Sequence, residues 1–180
     1  MRIIEASLPG VLLLEMDVYE DSRGVFFESF NLNRMIDAGL PSKWVQDNFS
    51  KSTKNVLRGI HYQVAQPQGK LVWVAHGAVL DVAVDLRRSS RTFGQHFAVE
   101  LCEGSGSLLW IPPGFGHAFL VLSEIACVSY KVTDYYHPES ERTIAWNDPD
   151  LGIRWPAAEK MIVSEKDRNG ARFRDAELFP

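Results

Sequence analysis

Cysteine is scarce in this chain: there are two in 180 residues, Cys102 and Cys127, each inside an apolar, strand-like run. So few cysteines exclude a disulfide framework or a cysteine metal site and predict two buried, reduced thiols, as in an intracellular protein. Clusters of lysine and arginine are missing too. The 19 basic residues are outnumbered by 23 acidic ones, for a net charge of −4. No basic run offers a footprint for nucleic acid or an anionic membrane. An anionic ligand therefore needs a local cluster of cations. No apolar run approaches the ~20 residues of a bilayer span, and Met1-Arg-Ile-Ile-Glu-Ala lacks the apolar core of an export signal. The expectation is a cytoplasmic protein with no membrane partner. Repeats, low-complexity segments and linkers are absent as well. One domain over residues 1–180 is expected, large enough to bury roughly two thirds of the unfolded surface.

What fills the chain is a series of short strand signals. Residues 10–19 and 25–30 flank the turn Glu20-Asp21-Ser22-Arg23-Gly24, and residues 32–38, closed by Gly39-Leu-Pro41, form the first plausible helix. A polar turn at 51–55 leads into the run 55–63. Further runs follow at 71–76, 79–86, 95–101, 108–111, 117–122 and 126–136, separated by glycines, polar turns and the forced turn Pro112-Pro113-Gly114. Many short strands without helical periods between them predict an all-β sandwich or barrel. The polar segment after Pro138 is expected to wrap that sandwich with one short helix.

The run Asn55-Val-Leu-Arg58-Gly59-Ile-His61-Tyr62-Gln63, with Lys70 seven residues on, is polar where a core strand is apolar. Period-two alternation sets Gly59, His61 and Gln63 on one face. Desolvating Arg58, His61, Gln63 and Lys70 is costly unless they meet partners or a ligand, so a pocket is their natural place. Strict alternation puts Arg58 opposite His61, and only a bulge would bring both to the pocket. Gly59-x-His61-x-Gln63 and Pro112-x-Gly114-x-x-His117 resemble worn forms of the two cupin motifs. In metal-binding cupins the first carries a second histidine, and His61 with His117 are too few to hold a divalent ion. Chemistry here then rests on protein acids and bases, with His61 as the natural base. Lys70 and Arg58 offer charge for an oxyanion or phosphate. Tyr130, sharing a strand face with Val128 and Val132, packs as a core aromatic or aims its phenol at the pocket. Asp81 and Asp85 share one face of an apolar strand and need partners wherever they point inward.

Longer strings make a specific resemblance. They are Gln46-Asp-Asn48-x-Ser50-x-Ser52-x-x-Asn55-Val-Leu-Arg58-Gly-x-His61-x-Gln63, Gln68-Gly-Lys70, Asp81-Val-Ala-Val-Asp85, Leu109-Trp-Ile-Pro112-x-Gly114-x-x-His117, Tyr130-Lys-x-Thr-x-Tyr-Tyr136 and Trp146-Asn-Asp148. Together, from Asp21-x-Arg23-Gly24 to Lys166-Asp167, the chain resembles the dTDP-4-dehydrorhamnose 3,5-epimerases. That resemblance implies a metal-free cupin-type jelly roll with short peripheral helices, no cofactor, a homodimer, and inversion of carbons 3 and 5 of a dTDP-4-keto-6-deoxy sugar. It makes His61 the base, Asp167 its orienting carboxylate, Lys70 the enolate stabiliser and Tyr130 the acid on the opposite face. It assigns nucleotide contacts to Gln46, Asp47 and Asn48, thymine stacking to Tyr136, and the sugar or pyrophosphate region to Arg58 and His117. Glu141 and Lys166 stand at the edge, and Arg23, Phe26 and Glu28 reach the neighbouring subunit's site. A mono-epimerase of the same fold would carry the same His61 and Tyr130; a sugar-binding module would not need His61, Lys70 and Tyr130 together.

Overall fold

The structure is a computed structural model that describes residues 1–156 and 160–180. The chain begins with β1 (Arg2–Glu5), β2 (Leu12–Glu15), the hairpin β3 (Val18–Asp21) and β4 (Gly24–Phe27), and α1 (Leu32–Asp37). Next come β5 (Gln46–Thr53), β6 (Val56–Gln63), β7 (Lys70–His76), β8 (Ala78–Asp85), β9 (His96–Cys102), β10 (Ser107–Ile111), β11 (Phe115–Val121) and β12 (Ile125–Val132). The tail adds β13 (Glu141–Thr143), β14 (Ile162–Val163) and α2 (Glu165–Arg168).

Two sheets carry the fold. One runs β1-β2-β10-β7-β12-β5 and the other β13-β6-β11-β8-β9, with β14 alongside β6. Apart from the parallel β14–β6 pair, the neighbours are antiparallel, and most are far apart in sequence. This is the expected all-β jelly-roll sandwich. Inward residues of both sheets, among them Val72, Val74 and Val128 from one and Ala83, Phe119 and Val121 from the other, form the central core. The outer face of the first sheet is covered by α1 and aromatic loop residues, with Met35, Leu40 and Trp44 against Leu71 and Leu108. Ile144, Leu151, Trp155, Val163 and Phe173 of the tail cover the outer face of the second, over Ile60, Val82 and Leu120. The tail wraps the sandwich as its composition predicts.

Three expectations need correction. The run 10–19 is not one strand: β2 stops at Glu15, which pairs with Ser107 where β10 begins, and the chain then turns into the β3–β4 hairpin. A strand ends where its partner ends. β5 went unrecognised because Gln46-Asp-Asn-Phe-Ser-Lys-Ser-Thr53 has no apolar alternation. It is an edge strand with one side toward solvent and the other toward a polar cavity, so neither face needs an apolar side chain. Cys102 and Cys127 are free thiols, but half-buried rather than buried.

The bulge that alternation required is present. On β11, His117 pairs with His61 and Phe119 with Arg58, so three residue steps on β6 oppose two on β11. One extra residue reverses the alternation, so Arg58 and His61 turn to the same side of β6, and Arg58, still exposed, donates from Nε to Ser52 Oγ on β5 at 3.1 Å. Gly59 permits it: its φ is +119°, and a Cβ there would stand 2.5 Å from both Ala118 Cβ and the His117 carbonyl oxygen. Gly59→Ala is therefore expected to cost at least about 2 kcal/mol, from strain and overpacking together. A urea unfolding midpoint equal to that of the parent chain would contradict this.

Candidate active site

A cavity of about 300 Å³ opens between the two sheets, lined by Gln46, Asn48, His61, Tyr62, Gln63, Gln68, Lys70, Tyr130, Tyr136 and Glu141. Each arrives by a different local rule. Period-two alternation along β5 turns Gln46 and Asn48 inward, and the same rule on β12 sets Tyr130 beside Val128 and Val132. Lys70 opens β7 on the inward side with Val72, and its Nζ donates to the His61 carbonyl oxygen at 3.4 Å. Glu141 enters on β13, paired with Gln63.

The carboxylate that meets His61 comes from the tail. β14 lies parallel to β6 with Ile162 beside Val56, which carries α2 across the face of His61. Ser164 caps that helix by accepting from the Asp167 N–H at 3.1 Å. His61 Nε2 then meets Asp167 Oδ1 at 2.5 Å, across 106 residues of sequence, and the Gly59 N–H reaches Oδ2 at 3.5 Å. An ionised carboxylate only accepts, so Nε2 carries the proton and the Nδ1 lone pair is left as the basic atom. Burial pushes the Asp167 carboxyl up, but hydrogen bonds from His61, Ser164 and Gly59 outweigh it and hold the group below the ordinary carboxylate range.

Tyr130 is half-buried, and desolvation raises its phenol, opposed by the Arg58 charge and reinforced by Glu141. It is thus a protonated acid at neutral pH. Burial pulls the Lys70 ammonium down to about 8, against the attraction of Asp81 and Glu141. Glu141 holds the rim together: it accepts from Lys166 Nζ at 2.5 Å and from the Tyr136 hydroxyl at 2.8 Å. Those two bonds keep it ionised despite its burial. On the other side of His61 a second cavity of about 430 Å³ is lined by Arg58, Ser164, Lys166 and Asp167 with apolar neighbours.

Other candidate residues lie elsewhere. Asp47 is turned outward by the alternation that turns Gln46 and Asn48 inward, and pairs with Lys131 at 2.9 Å. His117 lies behind the cavity, buried, its Nε2 donating to both oxygens of Asp81 at 3.0 Å. Arg23 and Phe26 sit on the exposed β3–β4 hairpin, where Arg23 binds Asp21, and Glu28 binds Arg34. None of these three lines the His61 cavity. Ser52, which the sequence presents only within a motif and without a role, anchors Arg58 through its hydroxyl. Gln68 was quoted only within a motif, yet it lines the cavity and donates to the Asp134 carbonyl oxygen at 2.9 Å. Its place beside Lys70 was the available signal.

The cupin metal position does not fit an ion here. The Gln63 amide donates to the carbonyl oxygens of Gln66 and Tyr135 and accepts from the His137 N–H, while His61 and His117 each spend a ring nitrogen on an aspartate. Among the described residues no group of three or more His, Cys, Asp or Glu side chains is arranged to hold a metal.

The cavity of this cupin-type jelly roll joins a His–Asp dyad, a protonated phenol and a buried ammonium, a set suited to moving protons beside a carbonyl group. The profile described as dTDP-4-dehydrorhamnose 3,5-epimerase matches residues 5–175, and the chain belongs to that family. The enzyme of that name from Pseudomonas aeruginosa is 51% identical over 181 residues, covering 100% of both chains. The one from Escherichia coli is 50% identical over 169 residues, covering 93% of this chain and 91% of that one. The crystal structure of dTDP-6-deoxy-D-glucose-3,5-epimerase from Legionella pneumophila, in complex with dTDP-4-keto-L-rhamnose, superimposes with a TM-score of 0.95 at 47% identity. It covers 98% of this chain and 94% of that one.

Lys70 carries a measurable cost. Its folded pKa of about 8 lies below the ordinary 10.5. The unfolded chain therefore binds the extra proton between those values, so stability rises with pH there, and the full penalty applies below 8. Lys70→Met is expected to gain up to about 3 kcal/mol at neutral pH, a gain that shrinks to nothing as the pH approaches 10.5. Thermal unfolding across that range checks the sign: a variant less stable than the parent at neutral pH would refute it.

Proposed function

We propose that residues 1–180 act as one jelly-roll unit that inverts carbons 3 and 5 of dTDP-4-keto-6-deoxy-D-glucose. The product is dTDP-4-keto-L-rhamnose, for dTDP-L-rhamnose synthesis, and no metal or other cofactor is used. The observation that carries this reading is the 2.5 Å His61–Asp167 contact at the wall of the cavity that also holds Tyr130 and Lys70. His61 Nδ1 removes the proton from a carbon next to the ketone, and the C–H electrons move onto the 4-keto oxygen as an enolate. Asp167 keeps its charge and stabilises the imidazolium. The Lys70 ammonium balances the enolate oxygen. Tyr130 then gives its phenolic proton to the same carbon from the other face, and that carbon is inverted. His61 returns its proton to water and the phenolate regains one, so the second carbon can follow by the same steps.

Binding is shared along the rim. Gln46 and Asn48 on β5 take the nucleotide, Tyr136 stacks on thymine, and Arg58, Lys166 and Glu141 border the sugar and pyrophosphate. In this reading Arg58 suits a phosphate because Ser52 fixes its Nε while its terminal nitrogens stay free of any carboxylate among the described residues. The exposed Phe26 with Arg23 suits a homodimer in which the β3–β4 hairpin and Glu28 complete the neighbour's site. The enzyme works in the cytoplasm.

Two outcomes test this reading. Turnover should survive exhaustive chelation; loss in EDTA, restored by one added metal, would overturn the acid–base account. Tyr130→Phe deletes a single hydroxyl and keeps the base and most of the packing. In deuterated water the variant should still take up label, returned to the original face by His61. Inverted product should fall by roughly the 10²–10⁴ attributed to general acid–base groups. Label and inversion falling by one common factor, followed together by NMR, would remove Tyr130 from its separate role.

A further inference from the structure

Behind the cavity lies a charge that the reaction above does not use. Asp81, on β8, is 0% exposed yet stands on the inward face of its sheet, in register with Phe119. Both its oxygens accept from His117 Nε2 at 3.0 Å, and among the described residues it meets no lysine or arginine within ion-pair distance. Burial keeps the His117 imidazole below its ordinary range, against the pull of Asp81, so the ring that faces this carboxylate brings no counter-charge. A buried carboxylate facing only a neutral imidazole is costly unless a cation stands near.

The contacts lead to one. His117 is paired in register with His61 on the neighbouring strand, and its ring meets that of Tyr130 at 6.3 Å. Lys70 Nζ donates to the carbonyl oxygen of that same His61. Lys70 is 8% exposed and likewise has no carboxylate within ion-pair distance among the described residues. The other ionisable groups around it are committed. Glu141 on β13 binds Lys166 of α2, Asp167 binds His61, and Tyr130 on β12 is a neutral phenol. Two unbalanced buried charges of opposite sign therefore share one end of the sandwich, linked through His117 and His61.

We propose that Asp81 is a positioning residue for the epimerisation: with His117 it supplies, from behind the cavity, the negative charge that keeps Lys70 an ammonium and aims it at the enolate oxygen. The inference rests on the enolate role given to Lys70 above. Asp81 touches no substrate. Its charge is placed so that Lys70 stays protonated when the cavity is empty, and the ammonium is spent on the enolate once substrate enters.

The test is the pH dependence of kcat/KM, which reports the free enzyme. The parent chain is expected to lose activity as pH rises through about 8, where Lys70 gives up its proton. Asp81→Asn keeps the size of the side chain and an oxygen for His117 but removes the charge. That limb should move to lower pH by about one unit or more, as expected for loss of an opposite charge nearby. A purely structural role would lower the rate at every pH and leave the limb in place, and that result overturns the proposal. A second measurement does not depend on the folding of the Asp81 variant. Coupling is reciprocal, so Lys70→Met should raise the titration midpoint of His117 followed by NMR, because the cation that now opposes its protonation is gone. A His117 midpoint equal to that of the parent would refute the coupling. Absence of epimerised product from the parent chain would instead refute the enzymatic reading, so the two failures are told apart.

Discussion

The site depends on one extra residue in β6. Because three steps on β6 oppose two on β11, Arg58 and His61 share one side of the strand, and the Gly59 N–H reaches the carboxylate of Asp167. A regular strand would send Arg58 to the outer face, away from Ser52 and the cavity. The irregularity needs glycine, since nothing larger than hydrogen fits against Ala118 and the His117 carbonyl oxygen. The same small stretch therefore sets strand register, aims His61 and helps fix the carboxylate beside it.

Around that point the sandwich holds several buried charges at one end. The rest of the interlayer is aliphatic and aromatic, which gives the scaffold its packing energy. At the site end, Lys70, His117, Asp81, Glu141 and Asp167 each sit with restricted access to water. Two of the carboxylates are matched: Asp167 to His61, and Glu141 to Lys166 and Tyr136. Matching keeps the carboxylates ionised in a medium that disfavours charge, and low dielectric strengthens what each one does to its neighbour. Lys70 and Asp81 have no such partner, and burial lowers the proton affinity of the Lys70 ammonium. Asp85, on the same strand as Asp81, offers a contrast. Arg87, Ser90 and Thr92 all donate to its carboxylate.

Much of this was legible beforehand where local chemistry and spacing agree. Alternation identified the central strands, and the polar run around His61 marked a pocket because desolvated cations need a reason to be there. Gln63 could be read as a failed metal ligand from its side chain alone. β5 escaped notice because a strand that is wet on one face and lines a polar cavity on the other has no hydrophobic signature. Asp47 was grouped with Gln46 and Asn48 by adjacency, although alternation turns the middle residue of such a trio outward to Lys131. His117 was grouped with the cavity by motif, while its side chain is spent on Asp81 behind it.

The sequence by itself determined most of the strands, the sandwich they must form, and the supply of acids and bases among its apolar runs. Those follow from side-chain periodicity and from the cost of burying polar groups, both of which act locally. Only the tertiary structure decided which of those groups meet. The His61–Asp167 contact spans 106 residues and exists because β14 docks in parallel on β6. The bulge that admits Arg58 is visible only when β6 lies beside β11. Pairings of this kind depend on register between distant strands, and register is fixed by how two whole faces pack, which no single stretch of sequence contains.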